Sequence, residues 1–207
     1  MRKIILLIIS ILTLNFCTKA QDAEQIFKSA VDKLKTYKTI EIAFDYQMRN
    51  EEAGIDETMT GTGFMQGDAY RLNVAGQDMI CDGTTLWTYI IDSEEVMVSS
   101  ADPDGESSPL ATITSYYDNV NAEFTGDADN TLKSIEITPK EDDNSFSKLL
   151  VVIDSKTLNL NEVHVFDNNG SEFVYKITKF VTDQELPANT FIFNEDDYPN
   201  VEVIDMR

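Results

Sequence analysis

Cysteine is almost missing from this 207-residue chain, and one of its two copies, Cys17, lies in the first twenty residues. With those residues removed on export, Cys81 stands alone, no intramolecular disulfide can form, and stability has to come from a buried core. Histidine occurs once, at His164, alternating with Val163 and Val165 and at no metal-ligand spacing from a cysteine or acid. That pattern reads as an ordinary strand residue. Basic residues number 16 against 37 acidic ones, a formal charge of -21. Such a chain repels phosphate, which excludes nucleic acid as a partner, and it adheres poorly to anionic lipid headgroups. No linker rich in proline, glycine or serine and no repeat period divides the chain, so one domain is expected.

Catalytic signatures are also lacking. There is no Gly-x-Ser-x-Gly elbow, and Cys81, beside a turn, reads as a small apolar residue. Asp102, Asp104 and Glu106 resemble the start of a calcium loop but lack the later bidentate acid. Gly61-Thr62-Gly63 is followed by no Gly-Lys-Ser/Thr, so it reads as turn or strand glycine. The chain is expected to be no enzyme, with no metal and no cofactor. The acidic blocks at Glu51-Glu52, Asp102 to Glu106, Glu141-Asp142-Asp143 and Glu195-Asp196-Asp197 adjoin turn signals and read as solvated loops.

What the chain does have begins at its N-terminus. Arg2 and Lys3 precede an apolar run from Ile4 to Phe16, and Thr18-Lys19-Ala20 offers a cleavage site. Residues 1–20 read as a secretory signal peptide and residues 21–207 as a single exported domain. The run is too short to span a bilayer, which takes roughly 20 residues, and no later stretch approaches that length. Acylation at Cys17 would need small residues before it and finds Asn15 and Phe16, so simple cleavage is the preferred reading.

Helical spacing of Phe27, Ala30, Val31 and Leu34 predicts an amphipathic helix from Ala23 to Tyr37. From Ile40 the period becomes two, with Ile42, Phe44, Tyr46 and Met48 alternating with polar neighbours. The stretch from Gly61 to Ser99 then reads as a β-meander, with turns at Gly67-Asp68, Ala75-Gly76, Asp82-Gly83 and Asp92-Ser93. Within it, Tyr70, Leu72 and Val74 share one face. Ser108-Pro109 opens a second short helix through Tyr117. Further strands are expected at Ala122 to Thr125, Ser134 to Thr138, Phe146 to Ile153, Glu162 to Phe166, Phe173 to Phe180 and Phe191 to Phe193. Asn168-Asn169-Gly170 supplies a turn. The fold class is mainly β with helices (α+β), a strongly curved antiparallel sheet with helices over its concave face.

Large apolar and aromatic residues crowd the strands: Phe44, Tyr46, Phe64, Tyr70, Trp87 and Tyr89. Core packing accounts for all of them; the sharper alternative is a hydrophobic cavity for a lipid-like ligand on a sheet that cannot fill its own concave side.

The blocks "GTGFMQGDAYRL", "ICDGTTLWTYIIDSEEVMVS", "ITPKEDDNSFSKLLVVID", "VFDNNGSEFVYKITKF" and "FIFNEDDYPNVEVIDMR" resemble, in this order, the outer-membrane lipoprotein carrier family, LolA-like. The resemblance spans nearly all of residues 21–207, and its most specific part is Asp82 to Tyr89. It implies an unclosed β-barrel of about eleven strands with a helical lid, a periplasmic location, and carriage of acylated lipoproteins from the inner to the outer membrane. An inner-membrane lipoprotein-releasing transporter would load the carrier and an outer-membrane acceptor would unload it, the carrier acting as a monomer. The resemblance implies cavity positions at Tyr70, Leu72 and Val74, and the reading of the strand residues adds Ile42, Phe44, Tyr46, Phe64, Trp87 and Tyr89 as expected cavity residues. Many family members have a basic residue at the turn before the Tyr70 strand, where it holds the lid; this chain has Gln66-Gly67, so its lid must use other contacts. A lipid- or lipoprotein-binding sensor or scaffold of the same fold, regulating a membrane partner, is the alternative function.

Overall fold

The computed structural model describes residues 22–101, 117, 120–126, 131–140, 146–198 and 200–207. The expected signal peptide, the acidic turn from Asp102 to Glu106 and the expected second helix, Tyr117 apart, lie outside the described residues.

Alternation of apolar and polar residues produces strands wherever it is strongest. β1 (Ile40–Asn50) is the expected alternating strand, and β2 (Ile55–Gln66), β3 (Ala69–Val74), β4 (Gln77–Cys81), β5 (Thr85–Ile90) and β6 (Glu95–Ser100) carry the expected meander, so that β1 to β6 form one continuous meander. β7 (Val120–Phe124), β8 (Leu132–Pro139), β9 (Phe146–Asp154), β10 (Leu160–Asp167) and β11 (Glu172–Thr182) form a second one, and β12 (Glu202–Asp205) follows them. β1 and β11 pair antiparallel and join the two meanders into a 12-stranded open, curved sheet. Its order is β12-β6-β5-β4-β3-β2-β1-β11-β10-β9-β8-β7.

The turns follow from backbone chemistry. Ala75 and Gly76 both take positive φ, 55° and 73°, which is the twist-matched geometry of a two-residue hairpin loop. Asp82 Oδ1 accepts from the amides of Thr84 and Thr85, each at 2.8 Å, holding the β4–β5 loop. Asp167 Oδ1 does the same for Asn169 and Ser171 between β10 and β11.

The helix expected from Ala23 to Tyr37 occupies residues 22–36 and is here α1. Its apolar stripe, Ala23, Phe27, Ala30 and Val31, has no exposed surface at all. It packs on Ile135, Ile137, Leu149, Val151 and Ile153 of β8 and β9 and on Val163 and Val165 of β10. The sheet face beneath α1 is termed the inner face. A second cluster, Phe44, Tyr46, Leu72 and Val74, continues the inner face across β1 and β3, with no α1 residue in it. Phe44 lies flat over Gly61 of β2, where an added Cβ would stand 2.3 Å from Phe44 Cζ. Only glycine lets the ring lie there, and in doing so it smooths the inner wall.

The structure corrects the C-terminus. Phe191 to Phe193 is not a strand; after β11 the chain leaves the sheet, and Phe193 packs by its ring rather than by its backbone. The sheet is instead completed by β12, which pairs parallel with β6 and so departs from the all-antiparallel expectation. Its four residues are all exposed, so no burial pattern announces it.

Candidate functional site: the inner face

Register decides which expected cavity residues stand together. Phe44 pairs with Gly61 and Tyr46 with Met59 across β1–β2, Gly63 pairs with Leu72 across β2–β3, and Leu72 pairs with Met79 across β3–β4. Ile42, Phe44, Tyr46, Tyr70, Leu72 and Val74 therefore share the inner face. Phe64 pairs with Arg71, Arg71 with Ile80, and Ile80 with Trp87, while Tyr89 pairs with Asp78. Phe64, Trp87 and Tyr89 accordingly project from the opposite, outer face and do not join the other six. Their aromatic character suggests a cavity, but the loop between Cys81 and its partner Leu86 contains an even number of residues and fixes the opposite parity for β5.

Trp87 and Tyr89 have a different employment. The segment after β11 crosses the outer face, and Phe193 stacks on Trp87 at 6.1 Å between ring centroids while Tyr198 meets Tyr89 edge-on at 4.8 Å. Beneath them Arg71 grips the buried Asp78 by two bonds, Nε to Oδ1 at 3.1 Å and Nη2 to Oδ2 at 2.6 Å. The Tyr198 hydroxyl donates to the same Oδ2 at 3.2 Å.

The inner face gains residues that aromatic content alone does not flag. From β11, Phe173, Tyr175 and Ile177 pack against the second cluster, as do Met48, Met59 and Met79. Tyr46 and Tyr175 approach to 5.2 Å between centroids, and Phe44 and Tyr175 to 5.7 Å. Alternate positions on each strand, counted from Phe44 through successive hairpins, would have found the methionines; the β11 residues arrive through the long-range β1–β11 pairing, which no hairpin announces. Burial, with a smaller contribution from Tyr46, pushes the Tyr175 phenol up to about 12. An unfolded tyrosine ionises near 10 while the folded one keeps its proton. Stability from this group is therefore complete below about pH 10 and falls by up to about 1.4 kcal/mol per pH unit until the folded group also ionises near 12. Tyr175→Phe should abolish that alkaline loss, as measured by urea midpoints between pH 9 and 12.

The histidine and the cysteine singled out from the sequence are both engaged by their surroundings. His164 lies on the outer face with Nε2 and Nδ1 each 2.7 Å from a carboxylate oxygen, of Glu162 and Glu172. Cys81 is buried and burial pushes its thiol up, away from the nucleophilic thiolate. Among the described residues no group of three potential ligands could hold a metal ion, and no helix is long and apolar enough to cross a membrane.

An open curved sheet with α1 on its inner face, and an apolar wall that continues beyond that helix, accompanies a family match. Residues 35–194 match the family described as outer membrane lipoprotein carrier protein LolA. The chain belongs to the LolA family. Among curated proteins, none matches this LolA-family sequence. Among solved structures, an uncharacterized conserved protein from Thermus thermophilus superposes with a TM-score of 0.55 at 11% identity, covering 87% of this chain and 98% of that one. That likeness shows the fold. The lipoprotein LppX of Mycobacterium tuberculosis has a TM-score of 0.47 at 12% identity, covering 81% of this chain and 99% of that one. A putative outer membrane lipoprotein-sorting protein domain from Vibrio parahaemolyticus has a TM-score of 0.45 at 11% identity, covering 84% and 97%.

Proposed function

We propose that this LolA-family chain is an exported, periplasmic carrier that holds the acyl chains of lipoproteins against its inner face and moves them from the inner to the outer membrane. The observation that carries the reading is the apolar wall of Phe44, Tyr46, Leu72 and Val74, which extends the inner face past the helix-covered core on a sheet that never closes. Family membership supports it. Ile42, Phe44, Tyr46, Tyr70, Leu72 and Val74 form the acyl seat in this proposal, together with Tyr175 and the adjoining methionines.

Energetics require a surface of this kind. Each buried methylene is worth about 0.8 kcal/mol, so a chain of about 16 carbons leaving a bilayer must recover on the order of 12 kcal/mol. Only extended apolar contact can supply that, and onward delivery requires that it be little more favourable than the receiving membrane. A wall of flat rings over glycine suits such reversible holding better than a deep pocket with polar anchors.

The test is release. Inner-membrane vesicles bearing newly acylated lipoprotein and an energised lipoprotein-releasing transporter are incubated with residues 21–207, and the supernatant is fractionated by size. A soluble one-to-one complex that later yields its cargo to outer membranes is the expected result. Failure to release any lipoprotein, with free fatty acid still bound, would overturn the carrier role and move the function to a lipid-binding sensor.

A further inference from the structure

Five of the seven methionines in the sequence fall on the inner face of β1 to β6. Met48, Met59 and Met65 pair with Glu57, Tyr46 and Ile40 in the β1–β2 ladder, which places all three on the same side as Tyr46 and Ile40. Met79 pairs with Leu72 on one side and with Thr88 on the other, and Thr88 pairs with Met97. The five are spread over β1, β2, β4 and β6 in four different rows of the sheet, with only Met79 and Met97 in the same row; this scattered set is here termed the stripe, and each of its residues is only partly buried. Isoleucine, valine and leucine fill the helix-covered half instead, where no exposed surface remains at Ile135, Ile137, Val151 and Ile153. Met48, Met59 and Met79 pack as partly buried residues around the buried Phe44, Tyr46, Leu72 and Val74, whereas Met65 packs against the helix-covered cluster; the partly exposed margin of the uncovered half is thus rich in thioether.

Thioethers have two properties that branched aliphatics lack. Their three rotatable bonds and polarisable sulfur adapt to guests of differing outline. They are also oxidised in two-electron steps to a polar sulfoxide that reductases reverse. The other sulfur on this face, Cys81, is buried at 2% exposure, so the accessible sulfur is thioether. Phe44, Leu72 and Val74, packed against Met48, Met59 and Met79, offer no hydrogen-bond donor to a sulfoxide oxygen, whereas Tyr46 and Tyr175 of the same cluster each carry a hydroxyl, so a sulfoxide here would sit in a largely apolar wall.

We propose that the Met48–Met59–Met65–Met79–Met97 stripe is a modification site at which peroxide-class oxidants switch off acyl-chain binding reversibly. The inference rests on the acyl-seat reading given above. In the step, a lone pair on sulfur attacks one oxygen of hydrogen peroxide, the O–O bond breaks, an S–O bond forms and water departs; sulfur is oxidised by two electrons and the peroxide reduced by two.

The experiment measures the Kd of a fluorescent fatty acid for residues 21–207 before and after mild hydrogen peroxide, with sulfoxides located by peptide mass spectrometry and folding followed by circular dichroism. The expected result is sulfoxide on the stripe, an intact fold, a rise in Kd of at least about tenfold, and recovery after methionine sulfoxide reductase. The variant with all five methionines changed to leucine should show one Kd before and after peroxide, whatever its starting value. Sulfoxides on the stripe with an unchanged Kd, absence of oxidation at the stripe, or weakening that arises only through unfolding would each overturn the switch. Should the untreated protein fail to bind the probe, the acyl seat itself is overturned, an outcome distinct from failure of the switch. Reversal by the reductase keeps the question decidable if the fivefold variant does not fold.

Discussion

Arg71→Ala lowers the unfolding free energy by about 3 kcal/mol and loosens the C-terminal segment from the outer face. The reason is Asp78, whose side chain is only 8% exposed and takes both oxygens' main bonds from Arg71. Removing the guanidinium leaves a buried carboxylate with the Tyr198 hydroxyl as its remaining side-chain donor. Breaking a buried pair costs about 3–5 kcal/mol; the lower end applies because the Arg71 side chain is itself 34% exposed and partly screened by water. Trp87 is the sole tryptophan, stacked on Phe193, so its emission reports the event directly. A red shift of Trp87 emission and faster proteolysis after Thr182 are expected alongside the lower urea midpoint. The double variant Arg71→Met with Asp78→Leu should recover most of the loss, since two apolar groups of similar volume replace a pair whose desolvation was never cheap. An unchanged midpoint in Arg71→Ala would show that Asp78 is satisfied without it.

Phe27→Ala is expected to cost about 4 kcal/mol, the centre of the range for emptying a buried aromatic site. Phe27 has no exposed surface and sits between α1 and the β8–β10 wall. The loss should be global, because α1 supplies the layer that the β7–β11 half packs against. The effect on fatty-acid binding is the informative part. Since no α1 residue belongs to the Phe44–Tyr46–Leu72–Val74 cluster, the acyl seat should keep its Kd to within about threefold under conditions where the variant remains folded. A midpoint change below about 1 kcal/mol would mean that the site collapses around the missing ring.

Much of this architecture is legible in residue order. The helix from Ala23, the long alternation from Ile40 and the Ala75-Gly76 turn carry their geometry in local chemistry, and the structure places them where expected. Parity across the meander is less accessible. Trp87 and Tyr89 look like ligand-contacting residues by type, yet their face is set by the number of residues in the preceding loop and by a partner segment about a hundred positions away. β12 is invisible for a related reason: none of Glu202 to Asp205 is buried, and a parallel edge pairing is specified by β6 rather than by its own alternation. The methionines of the inner face give little signal because thioethers carry neither the bulk of an aromatic nor the branching of a strand former.

The parallel pairing of β12 with β6 also sets an order of events in time. Residues 202–205 can dock only after β6 exists, and they are synthesised long after it. Joining them closes a loop spanning more than half of the chain, a contact whose entropic cost is met late and slowly. The meander must therefore assemble with its β6 edge bare, and that edge is open to pairing with another copy until β12 arrives.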